Sequence, residues 1–248
     1  MEGVAIISDI HGNVPALEAV LAEIKRRNIS RIFCLGDMVG KGPSPDIVID
    51  ICRKECEKII KGNHEELICA ETVFGGKIYE KMNEWHKEKL GKERYEYLLS
   101  LENCIDMQMG GKNIRLFHAS QIGVCYRVRR GDSLERHLAM FENTDFTGDF
   151  FKPDVVVYGD IHLSYIEIVG NKILFNVGSV GNPLGMDTRA SFGILTGEDK
   201  GKLELEVVKI DYDRKRAIDD TKNCGLPEID LYVNEILTGK YRGKIHNT

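Results

Sequence analysis

The chain is 248 residues long, with 42% hydrophobic and 29% charged residues. That composition excludes intrinsic disorder and collagen-like structure, and the length is ample for a buried core. Thirty-four Lys and Arg stand against 39 Asp and Glu, a formal net charge of -5, which argues against a duplex nucleic-acid binder, because phosphate neutralisation needs a basic surplus.

In chain order, Gly3 to Ser8 (GVAIIS) is a short apolar run of the buried-strand type. After the loop Asp9-Ile-His-Gly-Asn, Pro15 opens a helix with Leu17, Val20, Leu21 and Ile24 at helical spacing and Lys25 to Arg27 in its last turn. Arg31 to Leu35 reads as a second strand. A Gly/Pro-rich loop follows, then a helix from about Asp46 to Lys54 and a third strand over Lys58 to Lys61. This β-α-β-α-β start predicts parallel strands joined by right-handed crossovers.

Residues 65 to 100 read as a polar helical insert or cap that holds the only Trp, Trp85. Asp106 to Met109 and Asn113 to His118 form a hairpin around Gly110-Gly111. Further strands are predicted at Val155 to Tyr158, Ile166 to Val169, Ile173 to Asn176, Ser191 to Thr196 and Leu203 to Lys209. The tail, 214 to 248, carries one helix ending near Lys222 and another near Leu231 to Leu237. No linker or repeat divides the chain, so residues 1 to 248 are expected to form a single α/β domain.

Cys34, Cys52, Cys56, Cys69, Cys104, Cys125 and Cys224 are odd in number and contain no CxxC. They read as reduced thiols in a cytosol. MEGVAIISDIHG has no basic n-region, and no apolar run approaches the roughly 18 residues of a membrane span. A soluble, cytoplasmic protein with no membrane partner is expected.

Polar groups stand immediately after five of the apolar runs: Asp9 and His11, Asp37, Asn63 and His64, His118, and Asp160 and His162. The C-terminal ends of parallel strands gather in one crevice where ligands bind. Any one of these sites alone is an ordinary turn, but all five together point to a metal site. Nitrogen and oxygen donors without Cys suit Mn, Fe, Zn or a similar divalent ion. Seven candidate ligands (Asp9, His11, Asp37, Asn63, His118, Asp160 and His162) exceed what one open catalytic ion needs. They suffice for two ions roughly 3.5–4 Å apart bridged by a carboxylate. Such pairs serve in-line displacement at phosphorus. No G-x-S-x-G and no G-x-x-x-x-G-K-[ST] is present, so serine-hydrolase and P-loop chemistry are unsupported.

With the motifs Asp9-Ile10-His11, Gly36-Asp37, Gly62-Asn63-His64-Glu65, His118 and Gly159-Asp160-Ile161-His162 in this order, the sequence resembles the calcineurin-like metallophosphoesterases. Gly36 to Pro45, Asn176 to Pro183 and Arg189 to Phe192 are similar to its bacterial and archaeal branch of predicted phosphodiesterases and diadenosine-tetraphosphatase-like hydrolases. The resemblance implies a four-layer αββα sandwich of two mixed β-sheets flanked by helices. It implies a first metal on Asp9, His11 and His162, a bridge at Asp37, and a second metal on Asn63 and His118. His64 would stand near the leaving-group oxygen as general acid or electrostatic stabiliser. Two divalent or trivalent ions (Mn, Fe, Zn, Ni or Co, with Mn and Fe favoured) are the implied cofactors.

The sequence departs from the family pattern at three places. Asp160 stands where the first His of G-H-x-H belongs; it either ligates the second metal or is too short to reach it, and ligation is favoured. Gly40 and Lys41 replace the Asp and Arg of the phosphoprotein-phosphatase motif; Lys41 offers phosphate only a point charge. Lys61 and Glu65 flank Asn63-His64, and Glu65 is read as capping the following helix. Arg127, Arg129 and Arg130 form either a solvated loop or a clamp for a second phosphate. The substrate contacts expected are Asn63, Lys41, Arg127 and Arg189. Phe74, Tyr79, Trp85, Tyr95 and Tyr97 are read mostly as packing, with one or two able to stack on a base. Ser179 is read as a turn residue. The function expected is in-line hydrolysis of a small phosphodiester, nucleotide or dinucleoside polyphosphate by a metal-bridging hydroxide. The rivals are a phosphomonoesterase or phosphoprotein phosphatase, and a non-enzymatic degenerate metal-binding scaffold. Two bound cations would offset most of the negative charge and draw an anionic substrate to the crevice.

Overall fold

A computed structural model describes residues 2–70, 77–198 and 201–241. Phe74, His246 and the side chain of Tyr79 lie outside them.

The N-terminal half begins as the apolar spacing dictates. Strand β1 (Glu2–Ile7) leads to α1 (Val14–Arg26), β2 (Arg31–Cys34), α2 (Pro45–Glu55) and β3 (Lys58–Ile59). Helix α1 starts where Asn13 Oδ1 accepts the Ala16 N–H, with Pro15 in the first turn. Strand β3 is shorter than the apolar run KIIK suggests. It pairs with β2 over two residues only; beyond it the Ile60 N–H still donates to the Cys34 carbonyl, and Ile60 also bridges Glu102.

Helix α3 (Asn63–Cys69) follows at once, then α4 (Lys77–Leu99), which is interrupted at Gly91 by a left-handed φ of 66°. The second half contains β4 (Cys104–Met109), β5 (Lys112–Phe117), α5 (Leu134–Ala139), β6 (Val155–Tyr158), β7 (Ser164–Val169), β8 (Lys172–Val177), β9 (Ala190–Glu198) and β10 (Lys202–Ile210). The described chain ends with α6 (Arg214–Lys222) and α7 (Ile229–Thr238).

The strands form two five-stranded mixed sheets, in the orders β10-β9-β1-β2-β3 and β4-β5-β6-β8-β7. Parallel pairs β1–β2 and β2–β3 lie in the first, and β5–β6 and β6–β8 in the second. The period-2 alternation of strand residues explains the layering. Val4 and Ile6 of β1 face the second sheet, where they meet Leu116, Val157 and Phe175. Ala5 and Ile7 face the other way, against Leu17, Val20 and Ile24 of α1 and Val48 and Cys52 of α2.

The same alternation puts Val156 and Tyr158 on the outer face of the second sheet, packed by Val128, Met140 and Phe141. The architecture is therefore helices on two packed sheets, as expected, but the outer layer of the second sheet is one six-residue helix and loop. Helix α4 packs on α2 and α3 through buried Leu90 and Leu98 and through the Arg94–Asp50 pair. Every cysteine is a free thiol, and Cys34 and Cys52 are buried core residues. Among the described residues no helix is long and apolar enough to cross a membrane.

Candidate functional site

The C-terminal ends of β1, β2, β5 and β6 open on one crevice, and each delivers its polar residues there. The backbone is bent to do so. Asp9, His11, Asp37, Asp160 and His162 all adopt left-handed φ values between 49° and 61°, and only Asn28 and Glu228 share that conformation among the other described non-glycine residues. Such conformations cost about 1–3 kcal/mol each and persist where the surroundings over-determine them.

The surroundings here are neighbouring loops in register. The N–H groups of Asp9 and His11 donate to Gly36 and Asp37 carbonyls, and Val180 and Gly181 donate to those of Ser8 and Asp9. A side chain at Gly62 would collide with the Asp37 carboxylate, and one at Gly40, where φ is 112°, with the His64 ring. Only glycine lets these segments close to such range.

Three imidazoles are locked by the same device. Nδ1 of His11 donates to the Val39 carbonyl at 2.9 Å, that of His118 to Leu35 at 2.8 Å, and that of His162 to Asn182 at 2.5 Å. In the neutral ring, with Nδ1 carrying the proton, each Nε2 presents a lone pair. Those lone pairs converge. Nε2 of His11 and His162 are 3.1 Å apart, and Oδ1 of Asp9 lies 3.1 Å from His162 Nε2. Asp9 Oδ1 is buried without any hydrogen-bond donor. Oδ2 of Asp37 sits between two rings, 3.7 Å from His11 Nε2 and 3.5 Å from His118 Nε2. Its other oxygen accepts the His64 N–H at 2.8 Å.

Lone pairs aimed at one another are repulsive unless something positive lies between them. Donor atoms of Asp9, His11, Asp37 and His162 fall within 4.8 Å of one another, all four residues buried. This set of imidazole nitrogens and carboxylate oxygens, with an orphaned oxygen among them, fits a divalent cation of the Mn, Fe or Zn type. Burial pushes the Asp37 carboxyl well above its usual range, with Glu65 and Asp9 adding to the push. Burial also opposes a charge on His118, but Asp37, Asp9 and Asp160 outweigh it and hold that imidazole up at about 9. Burial is the main cause at Asp37 and the carboxylates are what raise His118; a bound cation would offset the buried negative charge and take the place of the His118 Nε2 proton.

The remaining expected residues divide. Asn63 reaches the crevice, its Oδ1 3.0 Å from His118 Nε2. His64 stands at the rim, its side chain 27% exposed and Nε2 4.0 Å from Asp37 Oδ2. Asp160 lies beside the crevice, Oδ1 3.9 Å from His118 Nε2, but outside the four-residue cluster. Its carboxylate is held by Arg127 through two 2.7 Å hydrogen bonds. Lys41 donates to Asn182 Oδ1 at 2.6 Å and to Glu235 at 2.9 Å. Arg189 pairs with Asp187 and lines a cavity of about 220 Å³ beside His162, with Ser164, Pro183 and Lys209. Arg130 stacks over Tyr165 on the outer face, away from the crevice.

Two contributors went beyond the sequence reading. Glu65 does cap α3, accepting the Gly62 N–H at 2.8 Å. It also accepts the N–H groups of Asp37, Met38 and Val39 at 2.7 to 3.3 Å, so a buried carboxylate shapes the loop that holds Asp37. Asn182, in the turn that also contains Ser179, locks His162 and anchors Lys41. Its glycine-rich setting was the available signal, but only the folded chain brings it to residues 20 and 141 positions away.

Residues 3–200 match the model of the calcineurin-like phosphoesterase superfamily domain. An uncharacterised protein of Methanocaldococcus jannaschii is 30% identical over 251 residues, covering 91% of this chain and 94% of that protein. Among solved structures, a metallophosphoesterase from Sphaerobacter thermophilus is similar in fold, with a TM-score of 0.74 at 22% identity, over 96% of this chain and 99% of that one. A hypothetical protein from Pyrococcus horikoshii superposes with a TM-score of 0.80 at 21% identity, over 97% and 99% of the two chains.

Proposed function

The chain belongs to the calcineurin-like phosphoesterase superfamily, and on that premise we propose that this metal-dependent phosphoester hydrolase cleaves a small phosphodiester, a nucleotide or a dinucleoside polyphosphate, with the diester favoured. The observation that carries the reading is the convergence of three carbonyl-locked imidazoles on Asp9 and Asp37. Asp9, His11 and His162 would hold one cation, Asp37 would reach both positions, and Asn63 and His118 would hold a second. Bound there, Mn or Fe ions supply a water of lowered pKa and a clamp on the non-bridging phosphoryl oxygens.

The protein's own groups do the rest. The backbone carbonyls of Val39, Leu35 and Asn182 keep the proton on each Nδ1, so that every Nε2 stays a donor to metal. Glu65 fixes the Asp37 loop before any ligand arrives. His64 is the imidazole open to solvent at the rim. In this reading it would face the leaving-group oxygen, and the cleft beside Arg189 and Lys209, both paired with Asp187, would take a second anionic group of the substrate.

The test is hydrolysis of a bis-aryl phosphodiester and a mono-aryl phosphate by Mn-loaded protein, followed by a panel of nucleotides and dinucleoside polyphosphates. Faster turnover of the diester is expected. Faster turnover of the monoester would replace the reading with a phosphomonoesterase. Turnover of neither, with metal demonstrably bound, would leave a metal-binding scaffold.

A further inference from the structure

Arg127 and Asp160 form a bidentate ion pair at the crevice, and it is Asp160 that departs from the expected role of metal ligand. Both oxygens of Asp160 are taken: Oδ2 accepts from Nε and Oδ1 from Nη2, each at 2.7 Å, while the carboxylate is 1% exposed. This is the bidentate fork geometry in which guanidinium and carboxylate bind most strongly. A cation arriving at Asp160 would have to share a carboxylate with a fixed positive charge.

Arg127, for its part, does not belong to a loose solvated loop. The next residue, Val128, is 1% exposed in the core outside the second sheet. The Arg127 carbonyl accepts from Arg136 at 2.9 Å, and the Arg129 carbonyl is bonded to His137 at 2.8 Å. The backbone is pinned on both sides of the guanidinium. Two of its N–H groups go to Asp160, and Nη1 makes no hydrogen bond among the described residues. The side chain is 42% exposed and lies within electrostatic reach of Asp37. A preorganised fork with one edge free, at the open margin of the crevice, is what recognition of a phosphoryl group requires.

We propose that Asp160 is a positioning residue, not a metal ligand: it aims Arg127 so that the free guanidinium edge contacts a non-bridging oxygen of the scissile phosphodiester. The inference rests on the phosphodiesterase reading above and replaces the expectation that Asp160 ligates the second metal. The protein's acidic residue at that position thereby recruits a protein cation to the substrate.

The experiment measures Mn binding by calorimetry and elemental analysis, inorganic phosphate affinity of the Mn-loaded protein, and kcat and KM on the bis-aryl diester. The variants are Asp160→Asn, Arg127→Met and the double variant. Both single variants are expected to keep the wild-type Mn stoichiometry, with Mn affinity within threefold. Each should raise KM and weaken phosphate by about 10- to 100-fold, the range of one hydrogen bond to a charged group, with a smaller change in kcat. The double variant should be no worse than Arg127→Met, because both act through one contact. Arg127→Lys should not restore affinity, since an ammonium lacks the fork.

Loss of one Mn equivalent in Asp160→Asn, or Mn binding weakened more than tenfold there but not in Arg127→Met, would overturn the proposal and make Asp160 a ligand. Unchanged KM and phosphate affinity in Arg127→Met would overturn it equally. If Asp160→Asn does not fold, Arg127→Met and Arg127→Lys decide the matter by the same two readouts. A wild-type protein that binds Mn but hydrolyses neither aryl ester would sink the phosphodiesterase reading. The phosphate arm would still report on Arg127.

Discussion

The tripeptide Asp-Ile-His occurs twice in this chain, as Asp9-Ile10-His11 after β1 and Asp160-Ile161-His162 after β6. In both copies the Asp and the His adopt left-handed φ, and the intervening Ile is buried. The two histidines end up equivalent, with Nδ1 on a backbone carbonyl and Nε2 atoms meeting at 3.1 Å. The two aspartates do not. Asp9 Oδ1 is left without a donor in the middle of the crevice, whereas both oxygens of Asp160 are bound by Arg127. One sequence pattern on one backbone conformation thus gives a carboxylate waiting for a cation and a carboxylate already supplied with one. The partner decides the role, and the partner comes from elsewhere in the chain.

The largest expected effect sharpens what the two copies share. Asp37 lies between their histidine cluster and His118, so Asp37→Asn should lower Mn affinity and cut phosphoester turnover by more than about 100-fold, measured by elemental analysis and initial rates. Full retained activity would refute its central position. Next comes the contrast itself. Asp9→Asn should weaken Mn by about 10- to 100-fold, while Asp160→Asn, the same chemical change at the matching position, should not. Equal losses would erase the distinction between the two aspartates.

Glu65→Gln tests the scaffold beneath both copies. An amide replaces one acceptor oxygen with a donor facing backbone N–H groups, and two orphaned donors should cost about 2–4 kcal/mol of stability in urea unfolding. Retention of wild-type stability would show the loop to be held by other contacts.

The smallest effect concerns a histidine outside both copies. Burial holds His86 down at about 4, against 6.5 for an ordinary imidazole. Above pH 6.5 it is neutral in both folded and unfolded chains. Between pH 6.5 and about 4 the unfolded chain binds a proton that the folded chain refuses, so stability falls as pH falls, by up to about 3 kcal/mol from this group. His86→Leu should flatten that acid limb in melting curves taken from pH 7 to 4.5; an unchanged slope would assign it to other groups.

Much of this was legible beforehand because it is local. The apolar alternation of β1 and β2, the Asn13-Val14-Pro15 start of α1 and the polar residues at the strand ends are short-range patterns, and the fold preserves them. What the sequence concealed is long-range. KIIK reads as a four-residue strand, but β3 spans only Lys58–Ile59; Ile60 donates to Cys34 and bridges Glu102, to which Lys61 also donates, far along the chain. Helix α5 went unread because LERHLA is six residues with no apolar repeat, started by a Ser133 cap. The Arg127–Asp160 pair spans 33 positions, and Glu65 reaches 28 back to Asp37. No spacing rule announces such partners, since they follow from which strands lie side by side.

The left-handed loops carry a consequence for which substitutions this family of chains can accept. Among residues with a side chain, Asn, Asp and His are the ones that enter that backbone region most readily. They are also short side chains with nitrogen or oxygen donors. Backbone conformation and the donor chemistry of the cluster therefore filter for the same few residue types at Asp9, His11, Asp37 and His162. A change from Asp to Glu keeps the charge but enters that backbone region less readily, Glu228 being the one Glu that does so among the described residues, and it alters the reach. Those positions are thus guarded twice against drift, whereas Asp160, in the same backbone conformation, answers to Arg127 instead.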